Sequence, residues 1–200
     1  MELDLTRPQV IERSNKKILE IAQQILEKLM RGRSDNSQKQ RALVFDIDGT
    51  AVYNKRDDTH RRNQHVFTIY DWARRHNIAV FFLTARPDTP ENREFTIGDL
   101  ARSGYTMYTE LIMRPEKDLQ ANGDNYSMYK AAQRVRINRN YQLLMSFGDT
   151  LLDMTVVNGP SNTPVNNAHR FVGNVNPECA YLLVLPGSVP VLNIKLKAEK

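Results

Sequence analysis

The chain has 200 residues, 40% of them hydrophobic, with a mean hydropathy of -0.55 and a formal net charge of +5. That suffices for one domain with a sizeable core, and no run approaches the length needed to span a bilayer. A lone cysteine, Cys179, excludes an intrachain disulfide and a cysteine zinc cluster, and the modest positive charge does not by itself mark a polyanionic partner.

The opening residues "MELDLTRPQ" lack a basic stretch leading into an apolar one, so an intracellular, reducing location is expected. Residues 8–31 read as an amphipathic helix, with Ile11, Ile18, Ile21, Ala22, Ile25, Leu26 and Leu29 at helical spacing. Thr6 and Gln9 are placed as a capping box around Pro8. A polar linker, "RGRSDNSQKQR", follows. The expected organisation is thus a helix and linker over 1–40, packed on a catalytic domain over 41–200.

From residue 41 strands and helices alternate. "ALVFDI" (42–47) has the continuous apolar character of a strand buried on both faces. Residues 60–76 carry Val66, Ile69, Tyr70 and Ala73 on one helical side, and "IAVFFLT" (78–84) is a second buried strand. A helix capped by Thr89, started by Pro90 and ended by Gly104 comes next. Strands at 108–113, 141–148 and 180–185 and a helix at 126–137 complete the pattern. The order implies an α/β fold with a mostly parallel sheet covered by helices. Residues 158–179, rich in Asn, Pro and Gly, read as an irregular loop, and "VPVLNIKLKAEK" as a possible edge strand.

Ligands of open parallel sheets bind beyond the carboxyl ends of the strands. Here those ends carry Asp46 and Asp48, Thr84, and Gly148-Asp149. Aspartates two residues apart on an extended chain share a side, and their repulsion is relieved by a divalent cation. Asp46, Asp149 and a backbone carbonyl offer the oxygen donors that magnesium prefers. Gly49 permits a sharp turn after the strand.

"FDIDGT" resembles the first motif of the haloacid dehalogenase (HAD) superfamily. "FFLTAR", "MYKAAQRVRI" and "LLMSFGDTLLD" are similar to its second, third and fourth motifs, in the same order, over residues 42–153. Within the superfamily the spacing is most similar to the class B and plant-type acid phosphatase branch, subfamily IIIB, although Gly49-Thr50 departs from that branch's usual residues. The resemblance implies a Rossmann-like HAD fold and a Mg²⁺-dependent phosphomonoester hydrolase working through an aspartyl-phosphate. It makes Asp46 the nucleophile and Asp48 the general acid and base. Mg²⁺ would sit on Asp46, the carbonyl of Asp48 and Asp149, with Asp153 a further metal-side or lysine-orienting group. Thr84 and Lys130 would bind phosphoryl oxygens, helped by backbone N–H groups after Asp46, and Arg86 would touch the substrate.

Plainer roles exist for several of these residues. Asp48-Gly49 is also a turn sequence, Thr84 also a helix cap, and Asp153 also a surface acid. Lys117 in "RPEKD" competes with Lys130 as the motif-three lysine. His60, His65, His76 and His169 show no metal-ligand spacing and read as surface or core residues.

Neither the interval from Asp46 to Thr84 nor that from Thr84 to Lys130 accommodates an extra domain, which needs roughly 50 residues of its own. The fold is therefore expected to be capless or minimally capped. Such a site suits broad small phosphomonoesters or nucleotides. It also suits a polynucleotide end, for which Lys55, Arg56, Arg61 and Arg62 in a flap over 52–64 supply charge. A solvated flap explains those cations equally, and Arg74 and Arg75 simply end a helix where positive charge is favourable. A HAD scaffold that binds without turnover is the non-enzymatic alternative.

Overall fold

A computed structural model describes residues 8–31, 39–53, 61–116, 126–148, 170–173 and 182–184. Its helices are α1 (Pro8–Arg31), α2 (Gln64–Arg75), α3 (Pro90–Arg102) and α4 (Tyr126–Asn140). Its strands are β1 (Arg41–Phe45), β2 (Val52–Tyr53), β3 (Arg61–Arg62), β4 (Ala79–Pro87), β5 (Glu110–Arg114), β6 (Gln142–Gly148), β7 (Arg170–Gly173) and β8 (Leu182–Val184). Six strands form one sheet in the order β5-β4-β1-β6-β7-β8, and β2 and β3 form a separate antiparallel pair. Neighbours from β5 through β7 are parallel, and β8 runs antiparallel to β7. This is the α/β arrangement of a Rossmann-like HAD fold.

Alternation along the strands sends successive side chains to opposite faces. Leu43, Phe45, Val80 and Phe82 join one core cluster with Leu19, Ala22 and Leu26 of α1 and Val66, Ile69, Trp72 and Ala73 of α2. Ala42, Val44, Ala79, Phe81 and Leu83 join the other, with Ile137 of α4. The rings of Phe45 and Phe147 stack at 4.7 Å, tying β1 to β6 in the centre of the sheet.

Several elements differ from the sequence expectation. Helix α2 starts at Gln64 rather than 60, because the side chain of Asn63 accepts from the N–H groups of His65 and Val66. Residues 61–62 instead belong to β3, at the base of the expected flap. Strand β4 continues past Thr84 to Pro87, with an irregularity against β5 between Leu83 and Pro87. Strand β7 falls within 158–179, which the composition gave as irregular. The expected strand over 180–185 is present as β8, but reversed relative to the rest. Thr89 caps α3 as expected, accepting from Asn92 N–H at 3.2 Å, with Pro90 in the first turn. The capping-box residue Thr6 and the tail over 189–200 lie outside the described residues.

Candidate active site

The carboxyl ends of β5, β4, β1 and β6 lie side by side, and Asp46, Asp48, Thr84, Arg86 and Lys130 gather there. Asp46 follows β1 directly. Its N–H donates to the carbonyl of Phe147 on β6 at 2.9 Å, so the two central strands stay zipped up to the first carboxylate. By alternation Asp46 shares the face of Ala42 and Val44, the face that α4 covers. Lys130 of α4 meets it there, with Nζ 2.5 Å from Asp46 Oδ1 and side-chain exposures of only 5% and 7%. Lys117, the competing lysine, lies outside the described residues.

After Asp46 the chain turns sharply. Gly49 has φ 75°, a left-handed conformation that costs glycine little. Gly49 N–H donates to Val52 O, and the N–H groups of Thr50 and Val52 donate to Ile47 O. Of the main-chain donors expected after Asp46, those of Gly49 and Thr50 are therefore used inside the turn. Tyr105 supports the turn from behind, its hydroxyl donating to Ala51 O at 3.1 Å.

Asp48 is gripped by Arg86. Nε and Nη2 of the guanidinium donate to the two carboxylate oxygens at 2.9 and 2.7 Å, a bidentate fork. The remaining arm, Nη1, donates to Asp99 Oδ2 at 2.9 Å and to Thr96 Oγ1 at 3.1 Å, both on α3. Burial by itself lowers the proton affinity of Arg86. The hydrogen bonds and charges of Asp48 and Asp99 outweigh it, and the guanidinium ends above the usual arginine value. It stays a cation throughout. Arg86 thus has an anchored position beside Asp48, where the sequence expected a substrate contact. Asp99 and Thr96 were not singled out from sequence. Their only cue is polar side chains on the helix that follows the Thr84 strand.

Thr84 is buried, and its hydroxyl accepts from Arg86 N–H at 3.1 Å. That leaves the hydroxyl proton to donate to a ligand. Asp149 and Asp153 lie outside the described residues. Among the described residues no three acidic, histidine or cysteine side chains are grouped to hold a metal. The described donors, the Asp46 carboxylate and main-chain carbonyls, are all oxygens, a chemistry that fits a hard divalent cation and needs further oxygens to complete it.

The remaining charged candidates have local roles. Arg62 donates to Gln64 Oε1 and lies 4.0 Å from the centre of the Phe67 ring. Arg75 pairs with Asp71, and Arg74 donates to Met107 Sδ. His76 stacks on Trp72 at 4.3 Å and its Nδ1 lies 2.8 Å from Trp72 O. His65 is half-buried on α2. Lys55, Arg56, His60 and His169 lie outside the described residues. No helix among the described residues is long and apolar enough to cross a membrane.

A family model described as HAD superfamily, subfamily IIIB (acid phosphatase), matches residues 51–179, more than half of the chain. The chain belongs to this family. It is a phosphatase of the HAD type, a phosphomonoester hydrolase by family. The match starts just past the Asp46–Asp48 turn, so the family assignment and the geometry of that turn are independent observations. Among solved structures, this phosphatase is similar to a class C acid phosphatase from Bacillus anthracis with tungstate bound. That match has 17% identity and a TM-score of 0.61, over 77% of this chain and 69% of the other. It is also similar to a chain of a Pnkp1/Rnl/Hen1 complex, at 21% identity and a TM-score of 0.51, covering 69% of this chain and 49% of that one. A chain of the Pnkp1/Rnl/Hen1 RNA repair complex matches at 21% identity and a TM-score of 0.51, over 68% of this chain and 45% of that one. At these identities the likenesses establish the fold. No curated protein matches the chain.

Proposed function

We propose that this phosphatase hydrolyses small phosphomonoesters, nucleotides among them, through an aspartyl-phosphate on Asp46. The observation that carries the reading is the buried Asp46–Lys130 pair at the end of the central strand, two positions before the Arg86-held Asp48. Asp46 attacks phosphorus with a carboxylate oxygen, forming an acyl-phosphate bond as the ester P–O bond breaks. Asp48, a carboxylate while both its oxygens accept from Arg86, loosens from that fork, takes up a proton from solvent and gives it to the departing oxygen. It then takes a proton from the water that attacks the acyl-phosphate, which releases inorganic phosphate and restores Asp46. Thr84 donates its hydroxyl proton to a phosphoryl oxygen. Lys130, neutralising Asp46 in the free protein, is within reach of another.

Asp46, the main-chain carbonyl of Asp48 and Asp149 would hold Mg²⁺, with Asp153 as a further contributor. Bound there, the ion supplies positive charge that lessens repulsion between an anionic nucleophile and an anionic phosphate. The decisive experiment is hydrolysis of p-nitrophenyl phosphate with Mg²⁺, with EDTA, and by Asp46→Asn. Turnover that needs the metal and vanishes in the variant is the expected result. Equal turnover by wild type and variant removes Asp46 as nucleophile, and absent turnover favours a binding scaffold.

A second reading is a polynucleotide end phosphatase, favoured by the similarity to a chain of an RNA repair complex. It expects 3′- or 5′-phosphorylated oligonucleotides to exceed free nucleotides in kcat/KM. Against it, Arg62 of the flap base is committed to Gln64 and Phe67. We propose an intracellular setting and a catalytic unit over 41–200 with α1 packed on it.

A further inference from the structure

We infer that Asp99, with Thr96, is a positioning residue for the leaving-group proton. It anchors Arg86, and through Arg86 it fixes where the Asp48 carboxylate stands. The inference rests on the phosphatase reading above.

The argument starts from burial. Asp99 is fully buried on α3, yet it is a carboxylate amid a core, the costliest kind of group to bury unpaired. It is held from two sides, by Arg86 Nη1 at 2.9 Å and by Arg102 Nη2 at 2.5 Å. Arg102 is a helix-surface residue one turn on, with a side chain 61% exposed. Arg86 has a side chain only 14% exposed. Arg86 is thus the partner that points inward, and Asp99 is its counter-charge on the side away from Asp48.

A guanidinium is planar, so fixing one arm fixes the directions of the other two donors. Asp99 and Thr96 hold Nη1 against α3. Nε and Nη2 are then aimed as a rigid fork at Asp48, whose side chain is 37% exposed against 14% for Arg86. A second consequence concerns turnover. When Asp48 turns toward the leaving oxygen it loosens at least one bond to the fork. Without Asp99 that would strand a nearly buried cation. With Asp99, Arg86 keeps its partner and stays in place to receive Asp48 again. Misplacing a proton donor by about an ångström is enough to cost on the order of 100-fold in rate.

This predicts a specific failure. An ester with a poor leaving group, such as an alkyl phosphate, needs a well-placed proton as the P–O bond breaks. One with a good leaving group, such as p-nitrophenyl phosphate, needs it far less. The quantity kcat/KM reports the steps up to phosphoryl transfer, before water attack. Asp99→Asn should lower kcat/KM for β-glycerophosphate by roughly 10- to 100-fold, and for p-nitrophenyl phosphate by less than about 3-fold, with KM for both nearly unchanged. Asp99→Glu should recover part of the loss. Because a buried Asn can compromise folding, Thr96→Val serves as the second variant. It is close in shape, removes one acceptor of Arg86, and should shift the ratio between the two esters by about 2- to 5-fold in the same direction.

An equal loss on both esters, or an unchanged ratio in Thr96→Val, overturns the inference while leaving the phosphatase reading intact. Absence of hydrolysis of either ester by the wild type overturns the phosphatase reading, and this inference with it.

Discussion

Lys130 Nζ and Asp46 Oδ1 stand 2.5 Å apart although 84 residues separate them in sequence. Asp46 follows strand β1 and Lys130 lies on helix α4, and each is a buried counter-charge of the other. The pair can exist only if β1, β6 and α4 assemble in this order, so the fold itself builds the site. Removing one member takes the counter-charge from a group that stays buried.

Lys130→Met should therefore fail in two ways. Stability should fall by about 3–5 kcal/mol, the usual penalty for removing one partner of a buried ion pair. Phosphatase activity should fall at least 100-fold, since the cation nearest the nucleophile is gone. Thermal unfolding read beside hydrolysis of p-nitrophenyl phosphate separates the two effects. A folded variant with wild-type kcat would show that Lys130 is only a structural partner of Asp46.

Asp48→Asn tests the other carboxylate. The amide keeps the size of Asp48 but neither carries the exchangeable proton nor accepts it. A fall in kcat of about 10²- to 10⁴-fold is expected, with the fold preserved, since Asp48 is only partly buried. Circular dichroism together with kcat on an alkyl phosphate checks this. A kcat within a factor of two of wild type would remove Asp48 from the chemistry.

Much of this arrangement is legible in the sequence, for physical reasons. "ALVFDI" and "IAVFFLT" read as central strands because both their faces are buried, which demands unbroken apolar runs. Thr89-Pro90 marks the start of α3 because cap chemistry is local. What depends on distant partners is hidden. Strand β7 is four residues long, in a stretch rich in turn-forming types, and is stabilised by pairing with β6 and β8. The reversal of β8 leaves no trace in an apolar run. The bond from Arg86 to Asp99 is hidden because Asp99, thirteen positions on, looks in sequence like one more helix-surface acid. Arg114 and Arg134 are buried as well, and no local sequence pattern marks them.

Gly104 closes α3 with φ +83°, and a side chain there has little room. A Cβ would meet Arg62 Nη1 at 3.0 Å and Phe67 Cε2 at 3.2 Å. Gly104→Ala should cost about 1–3 kcal/mol, combining left-handed strain with displacement of the Arg62–Phe67 contact. The drop shows as a lowered Tm. Because the contacts disturbed are those of Arg62 and Phe67, KM for p-nitrophenyl phosphate should hold below the melting range. A rise in stability would mean that the turn relaxes to another conformation.

Helix α1 supplies the last test, of whether residues before the linker belong to the catalytic unit. Leu19, Ala22 and Leu26 are buried in the cluster that holds Phe45, Phe82 and Phe147, while Ile21, Ile25 and Leu29 pack around its rim. Leu26 is fully buried, so Leu26→Ala removes methyl groups from a filled site and leaves a cavity. The expected cost is about 2–5 kcal/mol, as for other core leucines. Unfolding followed at once by far-ultraviolet circular dichroism and by loss of phosphatase activity should give one coincident transition, shifted down in the variant. If instead the helix signal melts first while activity persists, α1 is an appendage, and the catalytic fold stands without it.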